Sequence, residues 1–131
     1  MTKIVFLSFE QIVVIHDDQI ERYGGLHGVR SLDLLASSVF KPQASFDGKD
    51  LYPTIFAKAA SLLVSLVLNH AFVDGNKRTG LVSTLVFLEV NGYRLKVSAD
   101  ELFDTIVGVV SKKIGQEQVA KWLEKNSTRL S

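Results

Sequence analysis

The chain has no cysteine among its 131 residues, which excludes disulfide staples and thiolate-held metals and fits a reducing, cytoplasmic setting. Its two prolines, Pro42 and Pro53, bracket one short segment and leave the rest free to be helical. Neither sign of charge is in excess. Lys and Arg total 15 against 14 Asp and Glu, a formal net charge of +1, which argues against broad electrostatic binding to nucleic acid or an anionic membrane. Long apolar runs are also missing. The most apolar stretch, Ala59 to Leu68, is interrupted by Ser61 and Ser65 and gives way to Asn69 and His70, far short of the ~20 residues of a membrane span. Met1 to Phe9 carries one lysine and a brief apolar run without a small-residue cleavage site, so no signal peptide is expected. What remains is 47% hydrophobic and 22% charged, the balance of one globular domain over residues 1–131.

Helical periodicity and capping signals dominate that domain. Ser8 with Gln11 reads as a capping box opening a helix that turns Ile12, Val13, Ile15 and Ile20 inward and stops at Gly24-Gly25. A second helix is expected from Ser31, burying Leu34, Leu35 and Val39. Between Lys41 and Pro53, Asp47-Gly48 marks a tight turn and predicts an exposed loop or small hairpin. Thr54 to Asn69 reads as a central helix with a polar stripe of Lys58, Ser61, Ser65 and Asn69. A further apolar helix follows from about Lys77 to Glu89, with Leu81, Leu85 and Leu88 on one face, ended by Asn91-Gly92. Tyr93 to Val97 alternates as an extended piece, and Ser98 with Glu101 predicts a second capping box. The last helix, from about Gln116, is expected to bury Val119, Trp122 and Leu123 and then fray into a polar tail. The fold class expected is mostly α, with about six helices and one small hairpin.

Chemistry concentrates in His70-Ala71-Phe72-Val73-Asp74-Gly75-Asn76-Lys77-Arg78, between two of the most apolar helices. Gly75 lets backbone approach a ligand closely. Asn76 and Lys77 sit at a helix N-terminus, where unpaired N–H groups and the macrodipole favour an anion. Lys77 and Arg78 add cations, and a guanidinium can grip two oxygens at once. Asp74 is odd beside a phosphate unless it holds the divalent cation that accompanies nucleotides. An imidazole at His70 is suited to accept a proton from an attacking hydroxyl. Taken singly, each residue has a plainer role: His70 ending a helix, Asp74 as N-cap, Gly75-Asn76 as a turn, Lys77 and Arg78 as solvated charges. Their coincidence at this spacing is what points to a site.

The segment resembles the signature of the Fic/Doc family, His-x-Phe-x-(Asp/Glu)-Gly-Asn-(Gly or Lys)-Arg, and meets every fixed position. Ile15-His16 to Tyr23-Gly24-Gly25, Gly28-Val29-Arg30-Ser31, Phe87-Leu88-Glu89-Val90-Asn91-Gly92 and Trp122-Leu123 extend the resemblance toward the Doc branch. It implies a single helical domain with His70 as general base, Asp74 as magnesium ligand, and Gly75, Asn76 and Arg78 as residues cradling nucleotide phosphates, with Phe72 as anchor. Two positions depart from the adenylyl-transferring pattern: Lys77 stands for a glycine and Leu81 for a second arginine. The lysine form is that of the Doc branch. It implies a kinase-like reaction in which Lys77 and Arg78 take part as His70 does, the γ-phosphoryl of ATP passing to a hydroxyl of elongation factor Tu and translation stopping. Nucleotidyl (AMP) transfer is the alternative.

The Lys41 to Thr54 segment aligns with the family's substrate flap, which makes Phe46, Asp47, Gly48 and Lys49 candidates for docking a target peptide; an ordinary surface hairpin is the other reading. No Ser/Thr-x-x-x-Glu-(Gly/Asn) inhibitory run is present, so the resemblance implies a separate Phd-like antitoxin as partner. Competing readings are an inactive helical binding module, a nucleic-acid binder using Lys77-Arg78 and Lys112-Lys113, and a metal hydrolase. The intact signature opposes the first, the near-zero net charge the second, and the scatter of His16, His27 and His70 the third.

Overall fold

The computed structural model describes residues 3–130. Its element order is α1 (Phe9–Tyr23), α2 (Leu32–Phe40), a 3₁₀ turn (Lys41–Gln43), β1 (Ser45–Phe46), β2 (Lys49–Asp50), α3 (Ile55–Leu68), α4 (Asn76–Val90), β3 (Tyr93–Leu95), α5 (Ala99–Val110), α6 (Gln116–Asn126) and β4 (Ser127–Arg129). The protein is mostly α, as its periodicity predicts.

Local signals place the helix starts. Ser8 Oγ accepts from the Gln11 N–H at 3.1 Å while the Ser8 N–H donates to Gln11 Oε1 at 2.8 Å, a full capping box. The side chains of Ser31, Thr54 and Ser98 likewise accept from the N–H three residues on and cap α2, α3 and α5. At Ser98 only half the box forms, because Glu101 accepts instead from Trp122 Nε1 at 3.1 Å and ties α5 to α6.

Helix α3 runs through the middle of the fold, packed by α4 and α6, and its apolar positions Ala59, Ala60, Leu62, Leu63, Leu66 and Val67 are all buried. Of its polar stripe, Lys58, Ser61 and Ser65 are buried as well and Asn69 is half-buried. Ser61 Oγ donates to the Lys58 carbonyl at 2.9 Å, and Lys58 Nζ meets Asp50 Oδ2 at 3.0 Å and the Tyr52 carbonyl, fastening the hairpin to α3. Against α3, α4 presents small residues. Thr79, Gly80, Ser83, Thr84, Phe87 and Leu88 are buried, whereas Leu81 and Leu85 are only half-buried, which corrects the leucine face expected from spacing. The reason is close approach: a Cβ on Gly80 would lie 2.9 Å from Val67 Cγ2. Leu34 is likewise exposed; α2 turns Leu35, Ser38 and Val39 inward.

Two antiparallel strand pairs complete the fold. β1 and β2 join through Asp47-Gly48, both at positive φ (54° and 78°), the backbone of a type I′ turn. β3 pairs with β4 in the register Tyr93↔Arg129, Arg94↔Thr128, Leu95↔Ser127, so the tail expected to fray is instead a strand. Its ladder satisfies the N–H and C=O groups that β3 otherwise leaves open. Arg129 also sits over the Tyr93 ring, 5.6 Å from its centroid.

Candidate active site

The signature segment links the C-terminus of α3 to the N-terminus of α4. His70 follows the α3 C-cap with φ +51°, a left-handed conformation that costs an L-residue about 1–2 kcal/mol. Arg30 holds it there: its Nε donates to the His70 carbonyl at 2.7 Å and Nη2 to the Asn69 carbonyl at 3.4 Å. The Arg30 and Ser31 N–H groups both donate to the Ala71 carbonyl, and the Val73 N–H to the Gly28 carbonyl, so the loop after α1 runs alongside the signature loop. The His70 side chain is exposed to solvent and to the cavity.

Phe72 is buried and stacks face to face on His16, their ring centroids 3.8 Å apart with a 5° interplanar angle. Burying a Phe side chain contributes about 1.5–3 kcal/mol, enough to fix the loop's middle to the core. His16, itself buried, donates from Nε2 to the Asp74 carbonyl at 2.8 Å, and its Nδ1 lies 3.4 Å from Asp17 Oδ1. Asn76 turns its side-chain amide back: Oδ1 accepts from the Phe72 N–H and Nδ2 donates to the Phe72 carbonyl, both at 3.0 Å. Its contribution toward a ligand is therefore its backbone N–H. Gly75, at φ +77°, is the N-cap of α4, and no side chain caps that helix. The first-turn N–H groups of Asn76, Lys77 and Arg78 thus lack intrahelical partners and open onto the cavity these residues line.

That cavity has a volume of about 760 Å³ and brings together His70, Asp74, Gly75, Asn76, Lys77 and Arg78, with Val110 and Lys112 on the α5 side. Arg78 Nη2 donates to the Gly24 carbonyl at 2.9 Å and Nη1 lies 3.4 Å from the Gln19 carbonyl, so its fork bridges the C-terminal turn of α1 and the cavity, with N–H donors to spare. Lys77 is exposed, and among the described residues it has no ion-pair partner.

Asp74 accepts from the Leu26 N–H at Oδ2 (3.2 Å) and from the Gly75 N–H at Oδ1 (2.8 Å). These two backbone donors, Leu26 first, hold its carboxyl below the usual Asp range, with Arg78 and His16 adding to the effect. Among the described residues no group of three or more His, Cys, Asp or Glu is arranged to hold a metal ion. One ionised carboxylate with free lone pairs beside an uncapped helix N-terminus fits the way magnesium binds with nucleotides, where phosphates and waters supply most ligands.

Phe46, Asp47, Gly48 and Lys49 lie apart from this cavity. The hairpin is exposed and rooted at the N-terminal end of α3, whereas His70 follows its C-terminal end. His16, Arg30 and Lys112 are the residues sequence reasoning did not assign to the site. His16 and Arg30 act on the signature loop across 58 and 40 residues of chain, and no spacing rule reaches that far.

Fold and site together define a helical domain in which an uncapped helix N-terminus, cations, a carboxylate and an exposed imidazole line one cavity. A model of the Fic/DOC family matches residues 6–88, and the chain belongs to that family. It is 47% identical over 78 residues to the Toxin Doc of Mycolicibacterium smegmatis, a match covering 60% of each protein. It is 34% identical over 119 residues to the Protein kinase doc of Escherichia phage P1, covering 91% of this chain and 93% of the phage protein.

Proposed function

We propose that the protein is a Doc-type toxin that transfers the γ-phosphoryl group of ATP to a serine or threonine hydroxyl of a translation protein, elongation factor Tu being the expected target. The observation that carries this is the uncapped N-terminus of α4 opening, with Lys77 and Arg78, onto the cavity that also holds His70. In the proposed reaction the target hydroxyl gives its proton to the His70 imidazole as its oxygen bonds to the γ-phosphorus. The bond from that phosphorus to the β,γ-bridging oxygen breaks, and ADP leaves. The N–H groups of Asn76, Lys77 and Arg78, with the Lys77 ammonium and Arg78 guanidinium, stabilise charge on the phosphate oxygens. Magnesium, held through Asp74, supplies charge neutralisation of the phosphates when bound. Lys77, where adenylyl-transferring relatives keep glycine, favours the kinase reaction over AMP transfer, since its side chain fills space a closely held α-phosphate would need.

Because Phe46 to Lys49 lie apart from the cavity, in this reading their strand edge would engage the target protein away from its reacting hydroxyl. The same reading places the protein in the cytoplasm with a Phd-like antitoxin. Among the described residues no helix is long and apolar enough to cross a membrane. An apolar groove of about 520 Å³ between α4 and α5, lined by Leu81, Leu102, Phe103, Ile106 and Val107, adjoins Lys77 and Arg78 and suits an amphipathic antitoxin segment.

Intact-protein mass spectrometry of elongation factor Tu incubated with this protein, ATP and magnesium tests the proposal. His70→Asn is the control, because asparagine tolerates the left-handed backbone but cannot act as the base. One added phosphate, absent in the control, is expected. An added nucleotide monophosphate would replace the kinase reading with AMP transfer, and no adduct on this target or across a bacterial lysate would overturn both.

A further inference from the structure

We propose that Lys112, just past the end of α5, is a further phosphate-binding cation of the active cavity, acting beside the Lys77 and Arg78 cations of α4. The inference rests on the nucleotide-binding reading above. Three observations meet at this residue. Lys112 lines the same cavity as His70, Asp74, Gly75, Lys77 and Arg78, whereas its neighbour Lys113 does not. Its backbone is left-handed, φ +62°, at the position just past the α5 C-cap, where glycine is the ordinary choice and a lysine is strained. Among the described residues it has no ion-pair partner, so the strain is not offset by a salt bridge within the fold.

The turn that carries Lys112 is tightly determined. Its own N–H donates to the Val109 carbonyl at 3.1 Å, and the Lys113 and Ile114 N–H groups both donate to the Gly108 carbonyl, at 2.9 and 3.1 Å. Ile114 packs over Gly108 so closely that a Cβ there would overlap its side chain. These contacts fix the Cα of Lys112 at the cavity rim without help from its side chain. A flexible ammonium on a fixed root in the cavity lining can reach an anion held at the N–H groups of α4. Cavity-lining cations from both α4 and the turn after α5 suit a chain of phosphates better than a single anion.

The test measures affinity for the non-hydrolysable triphosphate AMP-PNP with magnesium by calorimetry, and thermal stability, for Lys112→Gly, Lys112→Asn, Lys113→Asn and wild type. Gly and Asn both accept the left-handed backbone, and Lys113→Asn removes the same charge one residue away. Affinity should fall about fivefold in both Lys112 variants and less than twofold in Lys113→Asn. Lys112→Gly should melt roughly 2–4 °C higher than wild type, as the left-handed strain is relieved. A merely structural lysine would instead lower the melting point. Lys112 variants that bind like wild type, or a Lys113 variant equally weakened, would overturn the proposal while leaving nucleotide binding intact. A wild-type protein that binds no AMP-PNP would overturn the functional reading and this proposal together.

Discussion

Gly24 and Gly25 end α1 side by side, and their alanine variants should separate backbone strain from damage to the site. Gly24 has φ +84° and ψ 168°, and Gly25 has φ +124°, both conformations that an L-residue rarely adopts. Each alanine should therefore cost about 1–3 kcal/mol of stability, roughly 3–12 °C in melting temperature for a domain of this size. Their surroundings differ. A Cβ on Gly24 meets nothing within 4 Å, whereas one on Gly25 would lie 2.7 Å from Asp74 Oδ2 and 3.2 Å from Arg78 Nη2. Relieving that contact moves the carboxylate off the Leu26 N–H, already 3.2 Å away, and pushes the guanidinium from the Gly24 carbonyl. Both groups are proposed to meet the magnesium nucleotide. Calorimetric titration with AMP-PNP and magnesium should therefore show affinity about tenfold weaker for Gly25→Ala, equivalent to about 1.4 kcal/mol, and within twofold of wild type for Gly24→Ala. Equal affinities for the two variants, at equal loss of stability, would refute the role given to the Gly25 contact.

Further expectations follow from the contacts around the signature loop. His16→Phe keeps the stack on Phe72 but loses the donor to the Asp74 carbonyl, so phosphotransfer should fall about tenfold, and His16→Gln, which restores an N–H near that place, should recover most of it; equal activity in the two variants would refute the hydrogen bond's importance. Asp74 has its folded pKa lowered below the ordinary ~3.9, so its stabilising contribution is complete above that value and is lost as pH falls through the lower folded value. An NMR titration placing the Asp74 midpoint at or above that of an ordinary Asp would contradict the two backbone donors. Lys58→Met should change stability by less than about 1 kcal/mol, because Asp50 is exposed and can rehydrate, yet release the hairpin; faster exchange of the Leu51 N–H, now bonded to the Ala44 carbonyl at 2.9 Å, is the measurement. Arg30→Gln should free the left-handed His70 and reduce turnover more than melting temperature, read by comparing kcat with a thermal melt.

Local chemistry was decided by the sequence alone. Ser8, Ser31, Thr54 and Ser98 each bond an N–H three residues on, and Asp47-Gly48 builds its turn from its own backbone preferences, so a short window contains the whole cause. The run from His70 to Arg78 likewise carried its family in nine consecutive residues. Tertiary structure decided everything that depends on a distant partner. Leu34 and Leu81 have the apolar character of core residues, but α2 turns Leu35, Ser38 and Val39 inward instead, and the closeness of α3 and α4 reserved the buried face of α4 for Thr79, Gly80, Ser83 and Thr84. The β3–β4 ladder needed residues 93–95 and 127–129 to meet. The placement of His16, Arg30 and Lys112 beside the signature was invisible for the same reason. A buried imidazole under the loop, a guanidinium clamping its entrance and a lysine lining the cavity become neighbours of the signature only when α1, α3, α4 and α5 pack. Side-chain type and spacing specify what a segment prefers by itself; which carbonyl a distant donor reaches is fixed by the fold.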